Sequence, residues 1–219
     1  MEEKQKFYHS LVFPTFFLAL IWTVKITEAG LEASFVEWGL YPHKLSGLIG
    51  IITAPFIHAD FKHLVDNSIP LYLLSVALFY FYRPVGYRVF FLTWFITGLT
   101  VWIFARSTYH IGSSGLVYGL ASFLFFSGII RNNINLLAIS LLVVFLYGGL
   151  VWGIFPFDFK VSWESHLMGG ITGLVLSFFY RNYGPPPVSY EISDEEEDDE
   201  EYWREPGSGY NDYMEYIKK

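Results

Sequence analysis

Long apolar runs separated by short polar stretches dominate the first 183 residues. Six runs approach the length that a helix needs to cross a bilayer, about 20 residues with a range of roughly 17–25. They lie at about 11–26, 64–82, 89–104, 114–130, 134–155 and 163–180. Stretches such as LVVFLYGGLVWGIF do not alternate as barrel strands do. Because lipid-exposed backbone must satisfy its own hydrogen bonds, the pattern predicts an all-α membrane protein, a bundle of six transmembrane helices with a long first outer loop.

The composition agrees with this pattern. Hydrophobic residues make up 53% of the chain, aromatic residues 21% and charged residues 16%, whereas a typical soluble domain has about 25% charged residues. With a mean hydropathy of +0.37, the chain is neither an ordinary soluble globule nor a disordered polymer. It contains no cysteine, which excludes a disulfide framework, a zinc ribbon and a thiol protease.

The net charge of −7 arises in the last part of the chain. Residues 184–219 hold 12 of the 21 acidic residues and 3 of the 14 basic ones, including the acidic run Asp194–Glu201. We expect this stretch to be a flexible, solvated tail on the cytoplasmic side rather than a docking segment. The transmembrane domain, residues 1–183, carries 11 basic and 9 acidic residues, so no basic surface for nucleic acid is predicted.

Lysine and arginine in the short flanks predict the orientation of the bundle. With six spans, one side collects Lys4, Lys6, Arg83, Arg88, Arg131 and Arg181. That side is then the cytoplasm, which places both termini there. The bias is moderate, because Lys25 and other lysines lie at or near the opposite side. The first run could instead be a cleaved signal peptide, but no small-residue cleavage site follows it, and Lys25 and Thr27 stand where one is expected.

The connection between the first two runs, residues 30–59, is long. Connections of more than about 12–15 residues are usually either functional or disordered. This one is rich in aromatic and apolar residues, as in FVEWGLYPHKLSGLIGIITAPF. We therefore expect it to be ordered and to lie partly in the membrane interface.

Polar residues inside spans are informative, because each costs free energy unless it is partnered or functional. His63 and Asn67 stand four residues apart at the start of the second span, so they share one helix face. His58 precedes them and is expected in the loop. Taken alone, these residues are equally typical of interfacial polar residues at a helix start.

The fourth span begins with Gly112-Ser113-Ser114-Gly115. Two glycines around two serines allow a tight turn and a close backbone approach, although a serine is also a common helix N-cap. Tyr118 follows Ser114 by four residues and faces the same way.

The sixth span begins near His166, a residue type that acts as a base near neutral pH. Gly169 and Gly173 follow on the same face and form a GxxxG pattern that lets another helix approach closely. Packing accounts for the glycines but not for the histidine. In the short loop before Ser114, Arg106 and His110 are expected to be surface charges.

The serine, the histidine and the His63/Asn67 pair all fall near the same, outer ends of their predicted helices. A hydroxyl, a base and hydrogen-bond donors are the groups that nucleophilic acyl transfer needs. Other intramembrane chemistries lack their parts, since the sequence has no HExxH zinc motif and no Gly-Asp pair for an aspartyl site. We therefore expect neither a metal nor another cofactor.

The ordered set of motifs resembles the rhomboid family of intramembrane serine proteases. The sequence contains His58-x4-His63-x3-Asn67, then Gly112-Ser113-Ser114-Gly115, then His166-x2-Gly169-x3-Gly173. Each motif is weak alone, but all three occur in the family's order and on the corresponding predicted helices.

The resemblance implies the following roles. Ser114 is the nucleophile and His166 the general base, with no carboxylate to orient it. The oxyanion donors are His63, Asn67 and the Ser114 backbone N–H. The remaining matched positions support the site: Tyr118 stacks on the catalytic histidine, Gly112 and Gly115 allow close packing, and His58 completes the first motif.

The resemblance also implies the setting. Substrates are single-pass transmembrane proteins cut near the outer membrane face, with lipid around the enzyme and no nucleic acid involved. The compact six-span form is common in bacteria and archaea, which points to a prokaryotic cell membrane. The family's Trp-Arg pair in the first loop is missing, and Glu37-Trp38 is the nearest match. This departure concerns loop packing and lipid contact.

Two alternatives remain open. A catalytically silent relative would keep the fold and bind transmembrane clients, although such relatives usually lack the serine, the histidine or both. A small transporter would need ionisable residues deep within its spans and broken helices in repeated halves. Here the polar residues gather at one face and no internal repeat is visible.

Overall fold

The regular structure of the chain is helical wherever the computed structural model describes it, at residues 3–146, 153–156 and 162–186, apart from one isolated β-bridge between Leu40 and His110. The helices are α1 (Glu3–Gly30), α2 (Gly50–Thr53), α3 (Phe61–Phe81), α4 (Gly86–Phe104), α5 (Ser114–Ile130), α6 (Ile134–Leu146) and α7 (Trp163–Phe179). Single 3-10 segments lie at Val36–Trp38, Leu45–Ile49 and Ala54–Phe56.

Three helices, α1, α3 and α4, are long and apolar enough to cross a membrane. Helices α5 and α6 are apolar but shorter, with 17 and 13 described residues, and α7 has 17. The all-helical membrane fold is therefore supported by the described residues, whereas the count of six spans stays a prediction.

The helix predicted over residues 134–155 is wrong at its carboxyl end. Helix α6 is described to Leu146, and Gly153–Pro156 forms a turn. Glycine and proline are the poorest helix formers, which explains why the apolar pattern continues where the helix does not. Residues 147–152, which connect the end of α6 to this turn, lie outside the described residues. So does the predicted acidic tail, apart from residues 184–186.

Helix α5 occupies the centre of the bundle and packs against α3, α4, α6 and α7. Leu120, Phe123 and Leu124 on this helix are fully buried. Large apolar side chains on other helices point outward, among them Phe16, Phe95 and Phe145. Exposed apolar surface of this kind suits helices that face lipid.

Glycines bring α5 and α7 into direct backbone contact. A Cβ atom on Gly169 would collide with the carbonyl oxygen of Gly115, and one on Gly173 would collide with that of Gly119. The backbones can approach so closely only because all these positions lack side chains. This contact fixes the first turn of α5 beside the first turn of α7.

The connection between α1 and α3 is packed against the rest of the bundle. Leu40, Ile51 and Ala54 of this loop pack with Val101 and Ala105 at the end of α4 and beyond it. The Gly112 backbone N–H donates to the Ala54 carbonyl at 2.9 Å. The loop thereby holds the segment that leads into α5. Its location in the membrane interface stays a prediction.

Candidate active site

Ser114 and His166 lie together at the adjoining ends of α5 and α7. Ser114 is the first residue of α5, and His166 stands in the first turn of α7. The Ser114 Oγ and His166 Nε2 atoms are 2.8 Å apart. Both residues are buried, with 9% and 7% of their surface exposed. The structure thus brings together the two residues that the sequence motifs singled out.

The other ring nitrogen of His166 determines which way this hydrogen bond runs. His166 Nδ1 is 2.8 Å from the carbonyl oxygen of Gly153. A carbonyl only accepts, so Nδ1 carries the proton and donates it. Nε2 of the neutral ring is then an acceptor for the Ser114 hydroxyl, which is the arrangement a general base requires.

No carboxylate bonds to His166 within the described part of the chain. Glu164, two residues earlier, instead pairs with Arg106, whose Nε lies 3.2 Å from its Oε1. The backbone carbonyl of Gly153 occupies the position that a carboxylate has in a serine–histidine–aspartate triad.

Tyr118 fixes the plane of the His166 ring. The two rings are stacked, with centroids 4.2 Å apart and planes 7° from parallel. Tyr118 lies one helical turn after Ser114 on the same face of α5. Helix α5 therefore carries both the Ser114 hydroxyl and the ring that stacks on His166.

His63 and Asn67 lie against the turn that precedes Ser114. A Cβ on Gly112 would be 2.8 Å from the His63 Cε1 atom and 3.4 Å from the Asn67 Nδ2 atom. Gly112 also has a φ of +100°, a conformation that L side chains rarely adopt. A glycine is thus needed here both for space and for backbone conformation.

Both side chains present hydrogen-bond donors in this region. Nδ1 of His63 accepts a long hydrogen bond of 3.4 Å from the Ala59 backbone N–H. The ring proton is therefore on Nε2. The Asn67 Nδ2 group is buried and has no partner among the described residues. A buried donor without a partner is uncommon and fits a site that receives a substrate oxygen.

The remaining matched positions surround this group. His58 is 1% exposed, and its ring lies 5.0 Å from the His63 ring. Burial lowers the pKa of His58 to about 4, so the ring is neutral at physiological pH. A Cβ on Gly115 would lie 3.1 Å from the carbonyl oxygen of Ser165, just before the catalytic candidate His166.

The expectation that His110 is a surface charge is wrong. His110 is 2% exposed, and its Nδ1 and Nε2 atoms lie 2.5 Å from Ser162 Oγ and 3.1 Å from the Arg106 carbonyl. Burial lowers the pKa of His110. The ring is buried because the loop folds back through the β-bridge with Leu40. It therefore cross-links the segment before α5 to the residue that precedes α7.

Some functional groups could not be found by sequence motifs. The Gly153 carbonyl is a backbone group in an apolar run, so no residue type marks it. Ser162 and Ser165 were visible as polar residues beside His166, and their hydroxyl oxygens are 2.6 Å apart. These polar residues beside His166 were the sequence signal for this part of the site.

A cavity of ≈ 40 Å³ lies beside the turn that precedes Ser114. Its lining includes Thr97, His110, Gly112 and Ser165. The volume is sufficient for a water molecule, and the lining provides polar groups for it. Within the described residues, no cluster of three or more histidine or acidic side chains is arranged to hold a metal ion.

Comparison with known proteins adds a family assignment to this geometry. The family model of the rhomboid domain matches residues 46–183. An uncharacterized protein of Mycobacterium tuberculosis is 32% identical over 175 residues, 74% of this chain and 71% of the relative. An uncharacterized protein of Mycobacterium leprae is 33% identical over 174 residues, 74% and 68% of the two chains. A Bacillus subtilis protein named "Putative rhomboid protease YdcA" is 27% identical over 174 residues, 73% and 75%.

Proposed function

Because the chain belongs to the rhomboid family, we propose that it is an intramembrane serine endopeptidase that uses Ser114 and His166. The observation that carries this proposal is the 2.8 Å contact between the Ser114 hydroxyl and His166 Nε2, with Nδ1 held by the Gly153 carbonyl. A neutral imidazole in this tautomer accepts the serine proton without any rearrangement of the ring.

In the first step, the Ser114 oxygen attacks the carbonyl carbon of a substrate peptide bond. His166 Nε2 takes the hydroxyl proton as the new C–O bond forms. The resulting imidazolium keeps its Nδ1–H bond to Gly153 and its stacking on Tyr118, so the ring stays in place. The carbonyl oxygen of the substrate becomes an oxyanion.

The oxyanion is stabilised by donors that are already in position. The Nε2–H of His63 and the Nδ2–H of Asn67 lie beside Gly112, next to the nucleophile. The Ser114 backbone N–H belongs to the first turn of α5, where N–H groups lack helical partners. The positive end of the helix dipole adds to this stabilisation. Loss of one such donor typically slows the reaction by about 10²–10³-fold.

The tetrahedral intermediate then collapses. The C–N bond breaks, and His166 gives its proton to the leaving amine, which leaves an acyl ester on Ser114. Water attacks this ester, with His166 again accepting a proton, and releases the carboxylate product. The small cavity lined by Gly112, Thr97 and Ser165 is large enough to hold one water molecule close to this site.

The proposed substrates are single-pass transmembrane proteins, cut near the outer face of the prokaryotic cell membrane. A scissile peptide must be extended before it can enter the site. Residues with low helix propensity near the cut, such as glycine, serine or proline, lower the cost of that unwinding. The family resemblance supports small residues at the cut itself.

The test is cleavage of a model transmembrane substrate in liposomes. We expect the wild-type protein to release a defined fragment, and Ser114→Ala and His166→Ala each to abolish it. Equal cleavage by wild type and Ser114→Ala would contradict the proposal. Binding of the substrate without cleavage by the wild type would instead favour a client-binding relative.

A further inference from the structure

Two charged side chains are buried together near the end of α1, away from the reacting groups. Lys25 and Glu28 are 8% and 6% exposed. The Lys25 Nζ atom lies 2.7 Å from Glu28 Oε2. Ionisable residues buried in a membrane-spanning helix are costly, which makes a functional role the first hypothesis.

The Lys25 ammonium group reaches from α1 to the backbone that leads into α3. Besides Glu28, it donates to the carbonyl oxygens of His58 at 2.9 Å and Ala59 at 3.0 Å. These three acceptors use all three of its protons. Glu28 in turn accepts from the Phe35 backbone N–H at 2.7 Å, so the pair also holds the start of the outer loop.

The His58-Ala59 backbone, to which Lys25 donates, also orients His63. The Ala59 N–H donates to His63 Nδ1. Asp60, the next residue, caps α3 by accepting from the His63 backbone N–H at 2.7 Å. Lys25 therefore acts on the residues that fix both the position of His63 and the nitrogen that carries its proton.

Stability alone does not account for the pair. Replacing a buried ion pair by apolar residues of similar volume is often neutral or stabilising, because desolvation of the charges offsets their attraction. What apolar side chains cannot do is hold two carbonyl oxygens at hydrogen-bond distance. The contribution specific to Lys25 is thus the placement of the His58-Ala59 backbone.

We propose that Lys25 is a positioning residue for the oxyanion site and acts through His63. Glu28 accepts from the ammonium group and keeps it aimed at the two carbonyls. This inference rests on the proposed protease function, in which His63 Nε2 donates to the oxyanion. We call the hydrogen bonds from Lys25 to Glu28 and to the His58 and Ala59 carbonyls the Lys25 clamp. Without this clamp, the His63 ring is free to tilt and its proton is free to move to Nδ1. The proton then no longer faces the substrate.

The test variant is Lys25→Met combined with Glu28→Gln. Methionine matches the length of the lysine stem without its donors, and glutamine keeps an acceptor for the Phe35 N–H. The matched control is Glu3→Gln combined with Lys6→Met, which removes an exposed ion pair of the same spacing on the same helix. Single replacement of Lys25 is avoided because it leaves Glu28 buried and unpaired.

The kinetic readout is cleavage of the model transmembrane substrate in liposomes. We expect the Lys25/Glu28 variant to lower kcat about tenfold with KM changed less than twofold, because a donor displaced by a fraction of an ångström weakens transition-state binding. In a His63→Ala background the same pair of changes has no further effect. The control variant keeps the wild-type kcat.

A second readout does not depend on activity. In protein with ¹⁵N-labelled histidine, the His63 signals are identified by their loss in His63→Ala. We expect wild type to show the Nε2–H tautomer and the Lys25/Glu28 variant to show a mixture. An unchanged tautomer together with an unchanged kcat overturns the clamp, as does a loss of kcat that adds fully to that of His63→Ala.

The experiments distinguish a refuted positioning role of Lys25 from a refuted protease function. If wild type cleaves the substrate and Ser114→Ala does not, the protease assignment holds whatever the Lys25/Glu28 variant does. If His63→Ala cleaves at the wild-type rate, His63 has no oxyanion role, and the positioning role of Lys25 is overturned with it.

Discussion

At the scale of single residues, backbone groups hold His166 and His63 in opposite tautomers. Nδ1 of His166 meets the Gly153 carbonyl, so its Nε2 is an acceptor. Nδ1 of His63 meets the Ala59 N–H, so its Nε2 is a donor. In the proposed mechanism one residue type therefore serves both as the base and as an oxyanion donor, and the difference lies in the single backbone group that contacts each ring.

The oxyanion role predicts the effect of two substitutions. We expect His63→Ala and Asn67→Ala each to lower kcat by about 10²-fold or more, since each removes one donor from the developing charge. Circular dichroism and the thermal midpoint check that each variant is folded. A folded variant that cleaves the model substrate at the wild-type rate would remove that residue from the oxyanion site.

The buried histidine His58 predicts a loss of stability in acid. Its pKa is about 4 in the folded protein, against about 6.5 when unfolded. Above pH 6.5 both states are neutral, so the shift has no effect there. As the pH falls from 6.5 towards 4, only the unfolded state gains the proton, which lowers the free energy of unfolding by about 3 kcal/mol.

The measurement for this prediction is the thermal midpoint in detergent between pH 7.5 and 4.5. His58→Gln should lose less stability in acid than the wild type, with the rest of the loss due to other buried histidines such as His110. The exposed control His9→Gln should leave the profile unchanged. An equal loss of the thermal midpoint in acid for His58→Gln and wild type would show that His58 does not contribute to it.

At the scale of elements, the contact between α5 and α7 sets the distance between Ser114 and His166. Ser114 and His166 lie in the first turns of these helices, and the glycine contacts begin within a turn of them. A shift of either helix therefore moves Ser114 relative to His166 directly.

Two adjacent glycines on α7 provide a matched comparison. A Cβ on Gly169 would collide with the Gly115 carbonyl, whereas one on Gly170 meets nothing within 4 Å. We expect Gly169→Ala to lower both the thermal midpoint and kcat. Gly170→Ala should retain activity and gain stability, by up to about 1 kcal/mol from helix propensity. Equal behaviour of the two variants would contradict a close α5–α7 contact.

The sequence predicted helix boundaries correctly where the residues next to the boundary determine it. Spans predicted from Ser114 and from Trp163 begin there in the structure, and a serine, Ser113 or Ser162, precedes each helix at the N-cap position, where serine is favoured. Helix α1 starts earlier than its apolar run, at Glu3, since polar residues continue a helix without lengthening its hydrophobic pattern. The pattern also missed the turn at Gly153–Pro156, where apolar residues are not helical.

At the scale of the whole molecule, the motif residues of the candidate site could be predicted from the sequence. The buried residues that hold them in place could not. Motif spacing was enough to single out Ser114, His166, His63 and Asn67. His110 and the Lys25–Glu28 pair are buried because the connection between α1 and α3 folds against helices that are distant in sequence. Residue types alone do not predict such long-range packing. Loop charges near a membrane surface are otherwise typical of solvent exposure.

The orientation of the molecule in the membrane is open to a direct test, because the chain has no native cysteine. We expect Leu45→Cys in the exposed outer loop to react with a membrane-impermeant maleimide in intact cells, and Lys4→Cys to react only after lysis. The reverse labelling would place both the outer loop and the candidate site on the cytoplasmic side.

The most direct test of the central claim is the reactivity of Ser114 itself. The measurement is labelling of the purified protein with a fluorophosphonate probe, beside Ser114→Ala, His166→Ala and a known serine hydrolase. If His166 activates Ser114, the wild type is labelled and both variants are not. An unlabelled, folded wild type beside a labelled reference enzyme would contradict an activated serine, and labelling that persists in Ser114→Ala would place it on another residue.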